Sequence, residues 1–203
     1  MNDILHIFIG YDEVETVSWH VLCQSIIARA TRPVAFHPVK RSLLKSCHDR
    51  ARDPKQSNEF SFTRFLVPYL MGYKGVALFM DSDMMLRTDI SELFDVVDLK
   101  EGNSVYVCKH EYQPRNVQKY LGAVQYPYPR KNWSSVMLFN CAHYDCRRLT
   151  PEYVNKASGL DLHRFNWTED DRIGSIPLEW NWLVGEYKHN PEAKNVHWTN
   201  FGS

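Results

Sequence analysis

The sequence predicts an α/β fold built on a parallel sheet with helices against it. Three observations carry this. The chain opens as strand, helix, strand. A second helical pattern then leads into an apolar run, Val76-Ala77-Leu78-Phe79-Met80, the clearest buried strand in the sequence. That run ends abruptly in Asp81-Ser82-Asp83, and in open α/β sheets ligands gather beyond the carboxyl ends of strands.

The elements follow in order. Ile4-Leu5-His6-Ile7-Phe8-Ile9 is short, apolar and β-branched, and stops at Gly10, so it reads as a buried strand. Asp12 stands three residues before Glu15, a capping-box-like start. Val14, Val17, Val21, Leu22 and Ile26 then recur at helical spacing and predict an amphipathic helix from Glu13 to about Arg29. Val34 to Val39 is a second strand. Residues 40–58 are polar, basic and irregular, and read as a mobile loop. Phe62, Phe65, Leu66, Tyr69 and Leu70 form a strong helical pattern in which Pro68 predicts a kink or a boundary, and Gly72 and Gly75 end it. Met84-Met85-Leu86 restores apolarity after the acidic triplet. Ser91 to Phe94 is a short helix; Ser104 to Cys108 and Ser135 to Phe139 are further strands. Gln113 to Asn132 has no clear period.

Composition narrows the class. The chain has 203 residues, the size of one domain. Twenty-four basic side chains balance 24 acidic ones, which argues against a dedicated nucleic-acid binder. No apolar run approaches the roughly 20 residues that span a bilayer, so no transmembrane segment is expected. The start, Met1-Asn2-Asp3-Ile4, lacks the basic region and long apolar stretch of a signal peptide, and the chain reads as soluble and cytoplasmic. The five cysteines have no CxxC spacing and read as reduced thiols.

Asp81-Ser82-Asp83 carries most of the chemistry. In an extended segment residues i and i+2 point the same way, so both carboxylates can face one ion. Their oxygens suit a hard divalent cation such as Mg²⁺ or Mn²⁺. The apolar flanks argue against a mere exposed turn.

Leu78 to Leu86 resembles the DxD segment of a GT-A fold glycosyltransferase, most like glycosyltransferase family 8. Ile7 to Asp12 resembles that family's first strand and nucleotide-binding turn. Ser61-Phe62-Thr63-Arg64-Phe65 resembles its arginine-bearing helix, with Arg64 17 residues before Asp81. Asn132 to Asn140 resembles the acceptor-side strand, and Val196-His197-Trp198-Thr199 the segment with a metal-binding histidine. The chain departs in having Trp133-Ser134-Ser135 where the family usually has Asn-Ser-Gly. Gly202 also stands five residues after His197, and no Lys-Pro-Trp follows it.

The resemblance implies a GT-A, Rossmann-like fold with a mixed, mainly parallel sheet. It implies one catalytic domain over 1–203, with a donor-binding half to about 110 and an acceptor-side half from about 111. The implied activity is metal-dependent transfer of a sugar, as by a hexosyltransferase, from a nucleotide sugar, most similar to a UDP-sugar user, to a saccharide or other hydroxyl acceptor, with retention of anomeric configuration. Asp81, Asp83 and His197 are then the metal ligands, and the nitrogen donor favours Mn²⁺ over Mg²⁺. Gly10, Tyr11, Asp12, Arg64 and Ser82 line the donor: Tyr11 stacks on the base, Asp12 binds base or ribose or caps the helix, and Arg64 reaches Asp81 and the donor. Asp170, in Glu169-Asp170-Asp171, resembles the middle residue of the family's Asp-Gln-Asp, beside the reacting carbon, and is a catalytic candidate with Arg64; an acidic helix start is the plainer reading. The many tryptophans of the second half are expected to serve the acceptor or the core. The tail from about Asn195 is expected to be mobile until metal and nucleotide order it. Two alternatives remain: a sugar-phosphate nucleotidyltransferase, which would carry a Gly-rich basic loop after the first strand, and a non-catalytic sugar-binding module.

Overall fold

In the computed structural model, residues 4–53, 56–95, 102–111 and 129–199 are described. The aperiodic stretch 113–128 and residues 200–203 lie outside them.

Alternation along the strands builds two cores on one sheet. Strand β1 (Leu5–Tyr11) sends Leu5, Ile7 and Ile9 to one face and Phe8 to the other. Strand β3 (Val76–Met80) divides the same way, Leu78 and Met80 against Ala77 and Phe79. Strands β5 (Val105–Val107) and β6 (Val136–Asn140) repeat the pattern. Both faces are covered, which is why these strands read as unbroken apolar runs. With β2 (Val34–Lys40) and β7 (Ile173–Ser175) they form a six-stranded sheet in the order β2-β1-β3-β6-β5-β7. The pairs β1–β2, β1–β3 and β5–β7 are parallel; β6 runs antiparallel to both its neighbours. The sheet is therefore mixed and mainly parallel, as the GT-A resemblance implies, with β6 the departure from the all-parallel pattern. Pro38, which cannot donate to a ladder, sits in the edge strand β2.

The first helix starts later than its pattern implies and turns a different face inward. Glu13–Glu15 form a 3₁₀ turn and helix α1 covers Thr16–Ile27. The buried stripe is Leu22, Cys23 and Ile26, with Trp19 and Ala30 packed beside it, a set also spaced at three and four. Val14 and Val17 are 73% and 76% exposed, and Val21 45%. Two apolar stripes compete on this helix, and docking to β1 and β4 (Met84–Leu86) selects the one with the larger side chains.

Pro68 marks a boundary, as expected. A 3₁₀ segment, Thr63–Leu66, gives way to a one-turn helix α2 (Val67–Leu70) with the proline in its first turn, where its missing N–H has no helical partner to lose. Gly72 and Gly75 follow at φ +61° and +67°, a left-handed turn that ends the segment. Residues 40–53 are irregular but pinned. Leu44 and His48 are buried, and the Arg50 guanidinium lies 3.8 Å from the centre of the Phe62 ring while donating to Val154 and Asn155 carbonyls. A guanidinium on an aromatic face anchors a segment that composition alone reads as mobile.

The tail is also anchored. Strand β9 (Asn195–His197) is the middle of a second sheet, β4-β9-β8, between β4 (Met84–Leu86) and β8 (Trp182–Leu183). Asn195 is fully buried and donates to the Trp180 carbonyl at 2.9 Å. Against the expectation of a tail mobile from Asn195, residues 195–197 are paired in this sheet and the Trp198 amide donates to the Asp83 carbonyl, so main-chain bonds, not an apolar plug, anchor the segment. The remaining α-helices described are α3 (Ser91–Asp95), α4 (Pro151–Lys156) and α5 (Gly159–His163). All five cysteines are free thiols. Among the described residues, no helix is long and apolar enough to cross a membrane.

Candidate active site

Past the carboxyl end of β3 the chain leaves the large sheet, turns through Asp81-Ser82-Asp83 and enters the small sheet as β4. The antiparallel register of β4 with β9 pairs Met84 with His197, and the Trp198 amide donates to the Asp83 carbonyl at 3.0 Å. The tail thereby reaches the triplet through main-chain bonds. One donor atom each from Asp81, Asp83 and His197 lies within 4.8 Å of the others. His197 Nε2 is 3.2 Å from Asp83 Oδ1. Two donors each about 2.1 Å from one ion, at right angles, are about 3 Å apart, so the spacing fits a shared divalent cation. Two carboxylates and one imidazole are a donor set that Mn²⁺ accepts readily.

Arg64 supports the triplet from below. Its side chain is almost fully buried between Phe60 and Phe79, whose ring centres lie 5.2 and 5.0 Å away. Nη1 is 2.8 Å from Asp81 Oδ1 and donates to the Ser134 carbonyl at 2.9 Å; Nε donates to the Phe60 carbonyl at 3.3 Å. A planar fork can satisfy these acceptors together, which an ammonium could not. Gly10 serves the same support. A Cβ there would stand 2.3 Å from the Phe60 ring, so only glycine lets β1 approach the residue whose carbonyl holds Arg64.

The rest of the predicted donor set divides. The Asp12 carboxylate is used structurally: it accepts from the Val14 amide at 3.2 Å and the Glu59 amide at 3.1 Å, capping the 3₁₀ turn and tying it to the loop. The Tyr11 ring is half-buried with the Lys40 ammonium 5.0 Å from its centre. Ser82 is fully buried and donates to Glu15 at 3.1 Å.

Glu15 is the residue that sequence reasoning misplaced. Its side chain goes to Ser82 and makes no capping bond. Burial, then the charges of Asp83, Asp12 and Asp81, push its carboxyl up to about 7, against the lowering effect of the Ser82 bond. The site is thus a pool of negative charge faced by the buried Arg64 guanidinium.

Asp170 does not join this group. It lies in a 3₁₀ turn at the amino end of β7, the opposite end of the sheet from the triplet. Its side chain is 79% exposed and pairs with Arg130 at 2.6 Å. The acidic-turn reading describes it better than a place beside the reacting carbon.

The second half does supply an aromatic cleft. Lys109, Glu111, Leu178, Trp182 and Tyr187 line a cavity of about 240 Å³. The Trp182 and Tyr187 rings are 5.0 Å apart, and Tyr187 hydroxyl is 2.9 Å from His110 Nδ1. Burial pushes the His110 imidazole down to about 3, so it is neutral here. Trp167 and Trp180, by contrast, are core residues.

A mainly parallel sheet with a DxD turn beyond its third strand, closed by a histidine from the tail, is the arrangement of a GT-A fold glycosyltransferase. The chain belongs to glycosyl transferase family 8, whose profile matches residues 6–200. It is 44% identical to Protein CDI of Arabidopsis thaliana, over 97% of this chain and 78% of that protein. Among solved structures it is similar to the apo WbbM bifunctional glycosyltransferase, with a TM-score of 0.67, 17% identity and 98% of this chain covered; it spans 46% of that longer chain. It is also similar to the galactosyltransferase LgtC in complex with donor and acceptor sugar analogues, with a TM-score of 0.60, 14% identity, and 98% and 87% of the two chains covered. Membership of this family makes the chain a glycosyltransferase, and the nucleotidyltransferase and sugar-binding-module alternatives give way to it.

Proposed function

We propose that this glycosyltransferase is metal-dependent and transfers a sugar from a nucleotide sugar, a UDP-sugar by family resemblance, to a saccharide or other hydroxyl acceptor with retention. The observation that carries this reading is the convergence of Asp81, Asp83 and His197, with Arg64 locked onto Asp81. Asp81, Asp83 and His197 would hold Mn²⁺ or Mg²⁺. A cation held there would supply Lewis-acid neutralisation of the charge on a departing diphosphate.

The chain's own residues set the conditions. Arg64 holds Asp81 in place through the 2.8 Å ion pair, so the carboxylate needs no rearrangement when the donor arrives. The Ser82 hydroxyl is spent on Glu15, which leaves the two flanking aspartates as the acceptors of the triplet. Tyr11, with Lys40 against its ring, offers a face for the base. The cleft between Trp182 and Tyr187 offers aromatic faces for an acceptor sugar, with Glu111 and Lys109 to bond its hydroxyls. On this reading the diphosphate departs and the acceptor hydroxyl attacks from the same face, with a phosphate oxygen taking the acceptor's proton. Asp170 has no part in it. The similar LgtC structure is a complex with donor and acceptor sugar analogues, which accords with a two-substrate site of this kind.

Calorimetric titration tests the donor half of this reading. UDP should bind with Mn²⁺ present and at least tenfold more weakly with EDTA; equal affinity in both would remove the metal from the donor site.

A further inference from the structure

His197 can serve a metal only through Nε2, and something must keep the proton on its other nitrogen. Asn181 is placed to do so. It lies in the turn 178–181 before β8, between Trp180 and Trp182, and is fully buried. Its Nδ2 donates to the Asn132 carbonyl at 3.2 Å, and its Oδ1 is 2.8 Å from His197 Nδ1. The Asn132 carbonyl can only accept, so the amide cannot face the other way. Oδ1 in turn can only accept, so Nδ1 must carry the hydrogen. The neutral ring then has its lone pair on Nε2, the nitrogen 3.2 Å from Asp83.

The far end of this arm is informative. Asn132 has φ +63° and ψ 3°, a left-handed conformation that asparagine tolerates and that precedes the turn Trp133–Ser135. Two residues on, the Ser134 carbonyl accepts from Arg64, which grips Asp81. The Ser134 hydroxyl is 2.7 Å from His163 Nδ1, which ties the same turn to α5. So the arm behind His197 and the arm behind Asp81 end two residues apart on one backbone turn.

We propose that Asn181 is a positioning residue: it fixes the tautomer and ring orientation of His197, and with Arg64 it references the metal ligands to the 132–134 turn. This rests on the reading that Asp81, Asp83 and His197 hold a divalent cation, and it adds the device that keeps the histidine ready. Outer partners of metal-bound histidines typically contribute 10- to 100-fold in affinity. Without the Asn181 acceptor, His197 is free to move its hydrogen to Nε2, where Asp83 would accept it and the metal-binding lone pair would be lost.

The test uses the whole chain, metal-free, with ¹⁵N-labelled histidine. Long-range ¹H–¹⁵N spectra at pH 8 should show His197 as the Nδ1–H tautomer in the wild type and largely as Nε2–H in Asn181→Ala. Asn181→Asp, which keeps an acceptor towards Nδ1, should retain the wild-type tautomer, and it serves if the alanine variant does not fold. Mn²⁺ affinity, read from the EPR signal of the free ion, should fall about 10- to 100-fold in Asn181→Ala. An Nε2–H tautomer in the wild type, or an unchanged tautomer and an affinity within twofold in a folded Asn181→Ala, would overturn the proposal. Failure of the metal reading is distinguishable: the wild type would then bind no Mn²⁺, or bind it equally in Asp83→Ala, whatever the tautomer of His197.

Discussion

Replacing Arg64 with methionine isolates the charge that sits under the triplet. Methionine keeps much of the volume between Phe60 and Phe79 and removes the guanidinium. Asp81 would then lose a partner at 2.8 Å, while its side chain is only 12% exposed and Asp83 and Glu15 remain close by. Removing one member of a buried ion pair leaves an uncompensated charge and costs about 3–5 kcal/mol. The Ser134 and Phe60 carbonyls lose their donor in the same step. For a domain of this length each kcal/mol moves Tm by roughly 2–4 °C, so the melting point should fall by about 10 °C. The loss should depend on metal. In EDTA nothing replaces the guanidinium; with saturating Mn²⁺ the ion supplies positive charge to the same carboxylate. Urea titrations followed by circular dichroism, in EDTA and in Mn²⁺, read both effects. A loss below about 1 kcal/mol in EDTA, or an equal loss under the two conditions, would refute the assignment of Asp81 to both partners.

Other outcomes follow from the same geometry. Arg64→Lys keeps the charge but not the fork, and should lower turnover despite the conservative exchange; unchanged donor affinity and turnover would place the guanidinium outside the machinery. Asp170→Asn should leave kcat within about threefold, since the side chain sits at the far end of the sheet in an exposed pair with Arg130; a loss of about a hundredfold or more would return it to the reacting carbon. Stability should fall as pH rises from 4.5 towards 7, because Glu15 holds its proton in the folded chain and releases it in the unfolded one. The full shift corresponds to roughly 3 kcal/mol, reduced to about 1–2 kcal/mol because the carboxyl is partly solvated. The difference between wild type and Glu15→Gln across that window isolates it from His110, which acts in the opposite sense as pH falls below 6.5. The Trp198 amide should exchange slowly in the ligand-free protein, as expected for a tail already in a sheet; fast exchange there would restore a mobile lid.

What the sequence made legible was what a local pattern dictates. Val76–Met80 reads as a buried strand because both its faces are apolar, and Asp81 and Asp83 read as a pair because a two-residue repeat aligns them. Arg64 is legible only through the resemblance, since nothing local says that a lone arginine is buried. Whatever depends on distant segments stayed hidden. The inward stripe of α1 is chosen by β1 and β4, so Val14, Val17 and Val21 looked as apolar as Leu22 and Ile26. The anchoring of Asn195–His197 needs β4 and β8, whose partners Met84 and Leu183 stand 113 and 14 residues before His197. Glu15 looked like a cap because Asp12 stands three residues before it; its actual partner is Ser82. Asn181 had one available signal, a polar residue between two tryptophans, which is a poor surface and a costly core unless both ends of the amide are bonded.

The most direct test of the account is UDP release from a panel of UDP-sugars, measured with Mn²⁺ or with EDTA, in wild type and in Asp83→Ala verified as folded. The account predicts release from at least one UDP-sugar that requires the metal and is lost in the variant. Release that persists in EDTA, release that survives undiminished in Asp83→Ala, or no release from any UDP-sugar in the panel would contradict it.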